Sequence, residues 1–176
     1  FELWCGLNDT RHISAVLENN IKIHNFYVPA GGDEPNIKLN EKFNHKINFI
    51  KEMTQYFNKI NLKKTVLVGD LNIAPYENDV WSHKQLLNVV SHTPIETELL
   101  SKLIDASNWV DVGRKFVSKN EKLYSWWSYR NRDWKKSNRG RRLDHIWVSK
   151  DLDVILRSFL SCREIRDWEK PSDHIP

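Results

Sequence analysis

The sequence predicts a single mixed α/β domain, because short apolar runs of strand length alternate with longer segments of helical periodicity. Its 176 residues are one domain's worth of chain, and 40% of them are hydrophobic, which is enough to build a core. No linker, repeat or low-complexity tract divides the sequence. We therefore expect one domain that spans residues 1–176.

Three segments have the pattern of strands. Residues 21–28 (IKIHNFYV) alternate in side-chain character and end at Pro29, after which two glycines interrupt the pattern. Residues 65–69 (TVLVG) form a continuous apolar run, which is typical of a strand buried on both faces. Residues 143–148 (LDHIWV) are the third predicted strand, and Asp144 lies near its start.

Three other segments are predicted to be helices. The clearest covers about residues 40–60, where apolar side chains recur at steps of three and four and form one buried stripe. A second helix is predicted from Ser82 to about Val90. A third covers about residues 96–108, with four leucine and isoleucine side chains on its apolar face.

The composition narrows the class of protein. The formal net charge is +4, which weakly favours polyanionic partners such as nucleic acid. No apolar run approaches the length of a membrane span, and no signal peptide is recognisable. The two cysteines, Cys5 and Cys162, form no metal-binding pattern and are read as reduced thiols, so a cytoplasmic protein is predicted.

The first candidate site follows the strand at residues 65–69. Asp70 stands where that strand ends, and Asn72 comes two positions later, on the same side of an extended chain. Crevices at strand ends are where layered α/β folds bind ligands, and a carboxylate there binds a hard cation or accepts a proton from water. The alternative is an ordinary turn, since Asp and Asn favour turns and Pro75 follows.

Two weaker candidates are Tyr27 and the pair Asp173-His174. A phenol at a strand end can hydrogen-bond a phosphate, although a strand tyrosine more often packs in the core. An Asp beside a His is either a metal-ligand pair or an acid–base pair, but neighbours in a strand point to opposite faces. Taken alone, this common dipeptide favours a structural role. The other histidines considered, at positions 24, 45, 83, 92 and 145, match no zinc pattern and are expected at the surface or in the core.

The fourth candidate is a basic, aromatic segment, residues 125–144. Its cations would neutralise phosphates, and its aromatic rings would stack on bases or line a sugar pocket. The alternative is a solvated basic loop whose tryptophans pack inward. The basic residues are Arg130, Arg132, Lys135, Lys136, Arg139, Arg141 and Arg142.

The order of five short motifs carries more information than any one of them. The segments YVPAGG, VGDLNIAP, SWWSYR, SNRGRRLDHIW and PSDH follow one another along essentially the whole chain. In this order they resemble the endonuclease/exonuclease/phosphatase superfamily, and more closely bacterial exodeoxyribonuclease III and the abasic-site endonucleases. The resemblance implies a four-layered α/β sandwich with its site where the two sheets meet.

The resemblance also assigns roles. It implies that Tyr27 contacts the scissile phosphate and that Asp70 and Asn72 position or deprotonate the attacking water. It implies that Asp144 orients His174. The implied cofactor is Mg²⁺, with Mn²⁺ fitting the same ligands, and the implied ligands are Asp70, Asn72, Asp173 and His174. The implied DNA contacts are Trp127, Arg130, Asn138, Arg139 and Arg141.

The implied substrate is double-stranded DNA with abasic or 3′-blocked ends, cleaved as a 3′ to 5′ exonuclease and abasic-site endonuclease by a monomer. Arg141 stands where some relatives carry a bulky apolar residue, which leaves the balance between these two activities open. The family opens with a strand that carries Asn and then a Gln-Glu pair, whose Glu is the principal magnesium ligand. Phe1 lies past both. We therefore expect the chain to be incomplete at both ends, without its N-terminal segment and final strand, and to be poorly folded and inactive alone.

Two alternatives remain. One is a phosphoesterase of the same superfamily that acts on another substrate, such as an inositol phosphate, a lipid phosphate or an RNA tail. The basic tryptophan-rich segment and the GDLNIAP motif favour DNA. The other is a non-catalytic DNA-binding relative, which the presence of Asp70, Asn72, Asp144 and His174 disfavours.

Overall fold

The structure is a computed structural model that describes residues 3–131 and 133–176, so Arg132 of the basic segment and Phe1 lie outside the described residues. It contains a five-stranded sheet and a two-stranded sheet, with helices packed on the larger one, and the mixed α/β class is confirmed. The strands are β1 His12–Val16, β2 Lys22–Tyr27, β3 Thr65–Asp70, β4 Val110–Asp111, β5 Trp126–Trp127, β6 Gly140–Arg141 and β7 Asp144–Val148.

The helices are α1 Glu41–Lys59, α2 His83–Leu86, α3 Pro94–Ala106, α4 Val112–Phe116 and α5 Trp134–Ser137. Short 3-10 turns cover Glu77–Asp79, Lys150–Ile155 and Arg163–Asp167. In the described part of the chain, none of the helices combines the length and apolar character needed to cross a bilayer.

The order of the large sheet is β1-β2-β3-β7-β4. β2 and β3 are parallel, whereas β7 runs antiparallel to β3. The carboxyl ends of β2 and β3 therefore meet the start of β7 at one edge of the sheet. This arrangement brings together three segments that are distant in the sequence.

One face of the sheet is covered by α1 and α3. Phe26, Leu67 and Trp147 point from three strands into the same apolar core as side chains of both helices, among them Met53 and Leu103. Side chains alternate along a strand, so Tyr27 and Ile146, neighbours of buried positions, are exposed on the opposite face. The periodic stripe predicted for residues 40–60 is confirmed, and Asn40 caps the helix by accepting from the backbone N–H groups of Lys42 and Phe43.

Two parts of the predicted secondary structure are wrong. The helix expected from Ser82 to about Val90 ends at Leu86, because successive turns follow it and Ser91 adopts a left-handed φ of 90°. The strands β1, β4, β5 and β6 were not predicted. β1 buries only His12, and the other three are two residues long, so none has an apolar periodicity to detect.

Buried histidines predict a loss of stability in acid. The His145 ring is fully buried and hydrogen-bonds through Nε2 to the carbonyl of Ile73 at 2.8 Å. Burial, with the nearby charge of Arg142, lowers its pKa from 6.5 to about 4. Because the folded pKa is below the unfolded one, this contribution is complete above about pH 6.5 and is lost as the pH falls through 4. The loss is about 2 kcal/mol at pH 5 and about 3 kcal/mol in full.

Urea unfolding at pH 7 and pH 5 measures this loss. His12 and His24 also have pKa values lowered to about 4, so they add to it in the same direction. The variant His145→Gln keeps a neutral donor and should show a smaller difference between the two pH values. An equal free energy of unfolding at both pH values in the unmodified protein would contradict the prediction.

Candidate active site

Three candidate residues form a row across the edge of the large sheet. Tyr27 pairs with Asp70 in the parallel register of β2 and β3, and Asp70 pairs with Asp144 in the antiparallel register of β3 and β7. Directly paired residues project from the same face of a sheet. The close approach of β3 to β2 at this point requires Gly69. Its φ is 133°, and an added Cβ would lie 2.0 Å from the carbonyl oxygen of Phe26.

The loop after β3 fixes Asp70 and Asn72 against each other. Asn72 has a left-handed φ of 52°, which turns its backbone N–H toward Asp70 Oδ1 at 2.9 Å. Its side-chain Nδ2 donates to Asp70 Oδ2 at 3.1 Å and to the carbonyl of Val28 at 2.9 Å. The turn and the functional interpretation are therefore compatible, because the turn is what orients the carboxylate and the amide.

Asp70 has the electrostatics of a proton acceptor. Burial, followed by the negative charge of Asp144, raises its pKa from 3.8 to about 6. A carboxyl group with a pKa near 6 is a stronger base than an ordinary aspartate and is still mostly ionised at neutral pH.

His174 is held by Asp144. Its Nδ1 lies 2.7 Å from Asp144 Oδ2, and the bridge between Trp126 and His174 ties this segment to β5. Burial alone would lower the pKa of His174, but the hydrogen bond and charge of Asp144, with the charge of Asp70, raise it above 6.5. The imidazole is therefore oriented, and its protonated form is favoured.

These side chains can hold a cation. Ligand atoms of Asp70, Asp144 and His174 lie within 4.8 Å of one another, a group found among residues 3–131 and 133–176. Two carboxylates that close together repel each other, which adds to the effect of burial in raising the pKa of Asp70, and a cation would relieve that repulsion. Carboxylate and amide oxygens suit Mg²⁺, so Asp70, Asp144 and the amide oxygen of Asn72 fit it better than His174 does, whereas Mn²⁺ also accepts imidazole.

Asp173 does not join this group. Its Oδ2 accepts a hydrogen bond from Trp126 Nε1 at 2.9 Å, and its backbone carbonyl accepts from Trp127. As the alternation of adjacent residues suggests, its side chain diverges from that of His174. In the described structure Asp173 therefore lies outside the group of Asp70, Asp144 and His174 and binds Trp126, and its role as a cation ligand stays a prediction.

The row opens into a cleft of about 800 Å³. Its base contains Tyr27, Asp70, Asn72 and His174, and its wall contains Arg130, Arg139 and Arg141. Tyr27 is 54% exposed there.

Two of the wall arginines lie over tryptophan rings. Arg139 lies 4.7 Å from the centroid of Trp81, and Arg141 lies 5.5 Å from that of Trp126. Nη1 of Arg141 also donates to the carbonyl of Val90 and to Ser91 Oγ. The cleft therefore combines a carboxylate–histidine base with a basic, aromatic wall.

Two predicted DNA contacts lie elsewhere. Trp127 is only 1% exposed, and its Nε1 donates to Asn138 Oδ1 at 3.1 Å, so the prediction that Trp127 contacts DNA is wrong. Asn138 ends α5 with a left-handed φ of 46° and also accepts from Arg163, and it does not line the cleft. The prediction that Asn138 contacts DNA stays a prediction, since its side chain is half-buried beside the cleft residue Arg139.

Sequence reasoning missed several residues of the cleft wall. Trp81, Ser128 and Asn131 line it, as does Trp126, which the sequence did not distinguish from its neighbour. Alternation along β5 gives one of two adjacent tryptophans to the cleft and the other to the interior. The sequence therefore indicates that one of the two tryptophans faces the cleft, but it does not indicate which one.

Comparisons with known proteins agree with this geometry. A model of the Endonuclease/Exonuclease/phosphatase family matches residues 41–174. The chain is 32% identical over 177 residues to exodeoxyribonuclease III of Haemophilus influenzae, which covers 94% of this chain and 64% of that protein. It is 31% identical to an exodeoxyribonuclease of Bacillus subtilis, over 77% of this chain and 52% of that protein.

Solved structures give the same result. An AP endonuclease from Archaeoglobus fulgidus superposes with a TM-score of 0.86 and 29% identity, over 96% of this chain and 63% of that one. The 3′-5′ exonuclease NExo of Neisseria meningitidis superposes with a TM-score of 0.84 and 26% identity, over 98% of this chain and 66% of that one. The chain thus spans less than two thirds of the length of each of these proteins. With its carboxylate–histidine cleft and these matches, the chain belongs to the Endonuclease/Exonuclease/phosphatase family.

Proposed function

We propose that the protein is a DNA repair nuclease of the exonuclease III type, which hydrolyses phosphodiesters in double-stranded DNA with Mg²⁺ or Mn²⁺. The observation that carries the proposal is the row of Tyr27, Asp70 and Asp144 with His174, because Tyr27, Asp70 and His174 line a cleft walled by arginines and tryptophans. We further propose that residues 1–176 form one domain of this family and that the protein acts as a monomer in the cytoplasm.

In the proposed reaction, water attacks the phosphorus and the bond to the leaving sugar oxygen breaks. Asp70 accepts the proton of the water, while Asn72 fixes the orientation of the carboxylate. Asp70, Asn72 and Asp144 would supply oxygen ligands to a divalent cation, whose charge would offset that of the phosphoryl oxygens.

The remaining groups stabilise the charge that develops. His174 uses Nδ1 to bind Asp144, which leaves Nε2 to donate to a phosphoryl oxygen. Tyr27 offers a phenolic O–H at the exposed end of β2. Arg130, Arg139 and Arg141 bind the DNA backbone.

The substrate assignment draws on named relatives. One relative is called exodeoxyribonuclease III, and superposable structures are described as an AP endonuclease and a 3′ phosphatase bound to product DNA hairpin. By analogy we propose abasic sites and blocked 3′ ends in duplex DNA as substrates. A phosphoesterase acting on another phosphate ester is the alternative.

A substrate panel tests the proposal. The full-length protein is assayed on a duplex with an abasic site, on a duplex with a 3′-phosphate, on polyadenylate RNA and on an inositol polyphosphate, each with Mg²⁺, with Mn²⁺ and with EDTA. We expect cation-dependent cleavage of the DNA duplexes. Hydrolysis of the inositol phosphate or the RNA with no action on DNA would sink the DNA assignment and support the alternative.

The wall arginines give a prediction about salt dependence. Arg139→Ala and Arg130→Ala should each weaken duplex binding and reduce the slope of log K against log salt by about 1, because each removes one phosphate contact. Lys51→Ala is the matched control, since Lys51 is exposed on α1 and does not line the cleft. Binding is measured by fluorescence anisotropy on a catalytically inactive background in a salt series. If the slope of log K against log salt is unchanged in both arginine variants, these arginines do not contact the DNA phosphates.

A further inference from the structure

A lysine lies buried beneath the floor of the cleft. Lys46 extends from α1 and its side chain is 0% exposed. Its Nζ donates to the carbonyl oxygens of Asn72 at 2.8 Å and Ala30 at 3.2 Å, and it forms an ion pair with Glu96 Oε1 at 2.5 Å. An ammonium group has three N–H donors, so these acceptors satisfy it completely.

The two carbonyls belong to the two loops that carry the proposed active site. Ala30 lies in the loop that begins after Tyr27, and Asn72 lies in the loop that begins after Asp70. Asn72 also joins these loops through its side chain, which binds Val28 and Asp70. One ammonium group therefore fixes the positions of both loops relative to α1.

The surroundings are built for this side chain. Gly31 has a φ of 93°, and a Cβ there would lie 2.9 Å from Cδ of Lys46, so the chain passes Lys46 at a distance that only glycine permits. Glu96 is also fully buried and accepts from Ser91 N, Thr93 N and Thr93 Oγ1 at the start of α3. The ion pair is thus anchored in two helices.

Stability of the core does not by itself account for this pair. Two charges taken out of water cost free energy, and apolar replacements of buried ion pairs are often neutral or stabilising. Unlike an apolar pair, the ion pair provides directed hydrogen bonds to the two loops.

We infer that Lys46 is a positioning residue of the active site, which sets the separation between Tyr27 and the Asp70–Asn72 loop without touching the substrate. The inference rests on the proposed function for its effect on turnover. The positioning of the loops by Lys46 does not depend on that function, so the inference and the proposed function can fail separately.

The test compares two variants of the purified protein. Lys46→Met with Glu96→Gln removes the ammonium without leaving a lone buried carboxylate, whereas Glu96→Gln alone keeps the ammonium on both carbonyls. We expect kcat of the double variant to fall about 30- to 100-fold, since a displacement of roughly 1 Å costs about 100-fold, with KM for duplex DNA within about threefold. The single variant should retain kcat within about fivefold.

A second readout does not depend on activity. Hydrogen exchange of the backbone amides in residues 28–31 and 70–73 should rise in the double variant and stay unchanged in Glu96→Gln. Leu152→Ala is the control for general destabilisation, because Leu152 packs in a separate apolar cluster with Val112 and Val148. It should alter neither kcat nor exchange in these two loops.

Each outcome decides the inference. Equal exchange in the two loops for the double and single variants, or equal kcat, would overturn the positioning role. If the unmodified protein shows no nuclease activity, the proposed function fails, and the exchange comparison still decides whether Lys46 holds the loops.

Discussion

Replacing Asp70 by Asn should lower kcat on duplex DNA by about 1000-fold or more while duplex binding stays within about threefold, because general-base and electrostatic roles of this kind are each worth about 100- to 1000-fold. The substitution keeps the shape of the side chain, and the amide oxygen still accepts from the N–H of Asn72. It removes the proton acceptor and one negative charge next to Asp144.

His174→Ala should have a comparable effect, of about 100- to 1000-fold, since it removes the donor that Asp144 orients toward the phosphoryl oxygen. Single-turnover kinetics with saturating enzyme separate the chemical step from binding, which is measured by anisotropy.

Asp33→Asn is the matched control for these variants. Asp33 lines the same cleft and is exposed, but it is not part of the row of paired residues, so removal of its charge should change kcat by less than about threefold. A near-normal rate for Asp70→Asn or His174→Ala would refute the role assigned to that residue. An equal loss in Asp33→Asn would show that the overall charge of the cleft matters rather than the specific positions.

The second large effect concerns stability. Asp79 is fully buried and accepts hydrogen bonds from the guanidinium groups of Arg114 and Arg142, and Arg142 also binds Asp111 through two hydrogen bonds. Asp79→Ala leaves the buried guanidinium of Arg114 with carbonyl acceptors only and leaves Arg142 paired with Asp111 alone. We expect it to lower the free energy of unfolding by about 3–5 kcal/mol, the usual cost of breaking a buried ion pair.

Urea unfolding followed by tryptophan fluorescence measures this change. Asp167→Ala is the control, because its partner Lys135 is largely exposed, and an exposed ion pair contributes about 0–1 kcal/mol. A loss below about 1 kcal/mol for Asp79→Ala would show that the arginines find other partners or water. Since Arg142 lies two residues before Asp144, the same variant should also disturb the carboxylate row.

The sequence predicted those parts of the fold that have a strong pattern. α1 and α3 have apolar stripes, and β2, β3 and β7 have alternating or continuous apolar runs, so their existence and bounds agree with the structure to within a few residues. The short strands have no such pattern, because their pairing is decided by tertiary contacts rather than by local composition.

The candidate site was predictable in membership but not in detail. Motif order identified Asp70, Asp144 and His174, which the structure brings within 4.8 Å, and the roles of these residues stay predictions. The sequence does not reveal which of two adjacent tryptophans packs against Tyr124 and Trp134, and Trp127 is the one that does. Nor does it reveal that Asp173 turns toward Trp126, since that depends on the bridge between β5 and residue 174.

The register of the large sheet has a consequence for how the site forms. Tyr27, Asp70 and Asp144 come from segments far apart along the chain, and only the pairing of β7 with β3 brings Asp144 to Asp70. Closing so long a loop costs chain entropy before its contacts are formed, so folding through such pairings is slow. The carboxylate pair, whose mutual repulsion opposes this docking step, would therefore assemble late in folding.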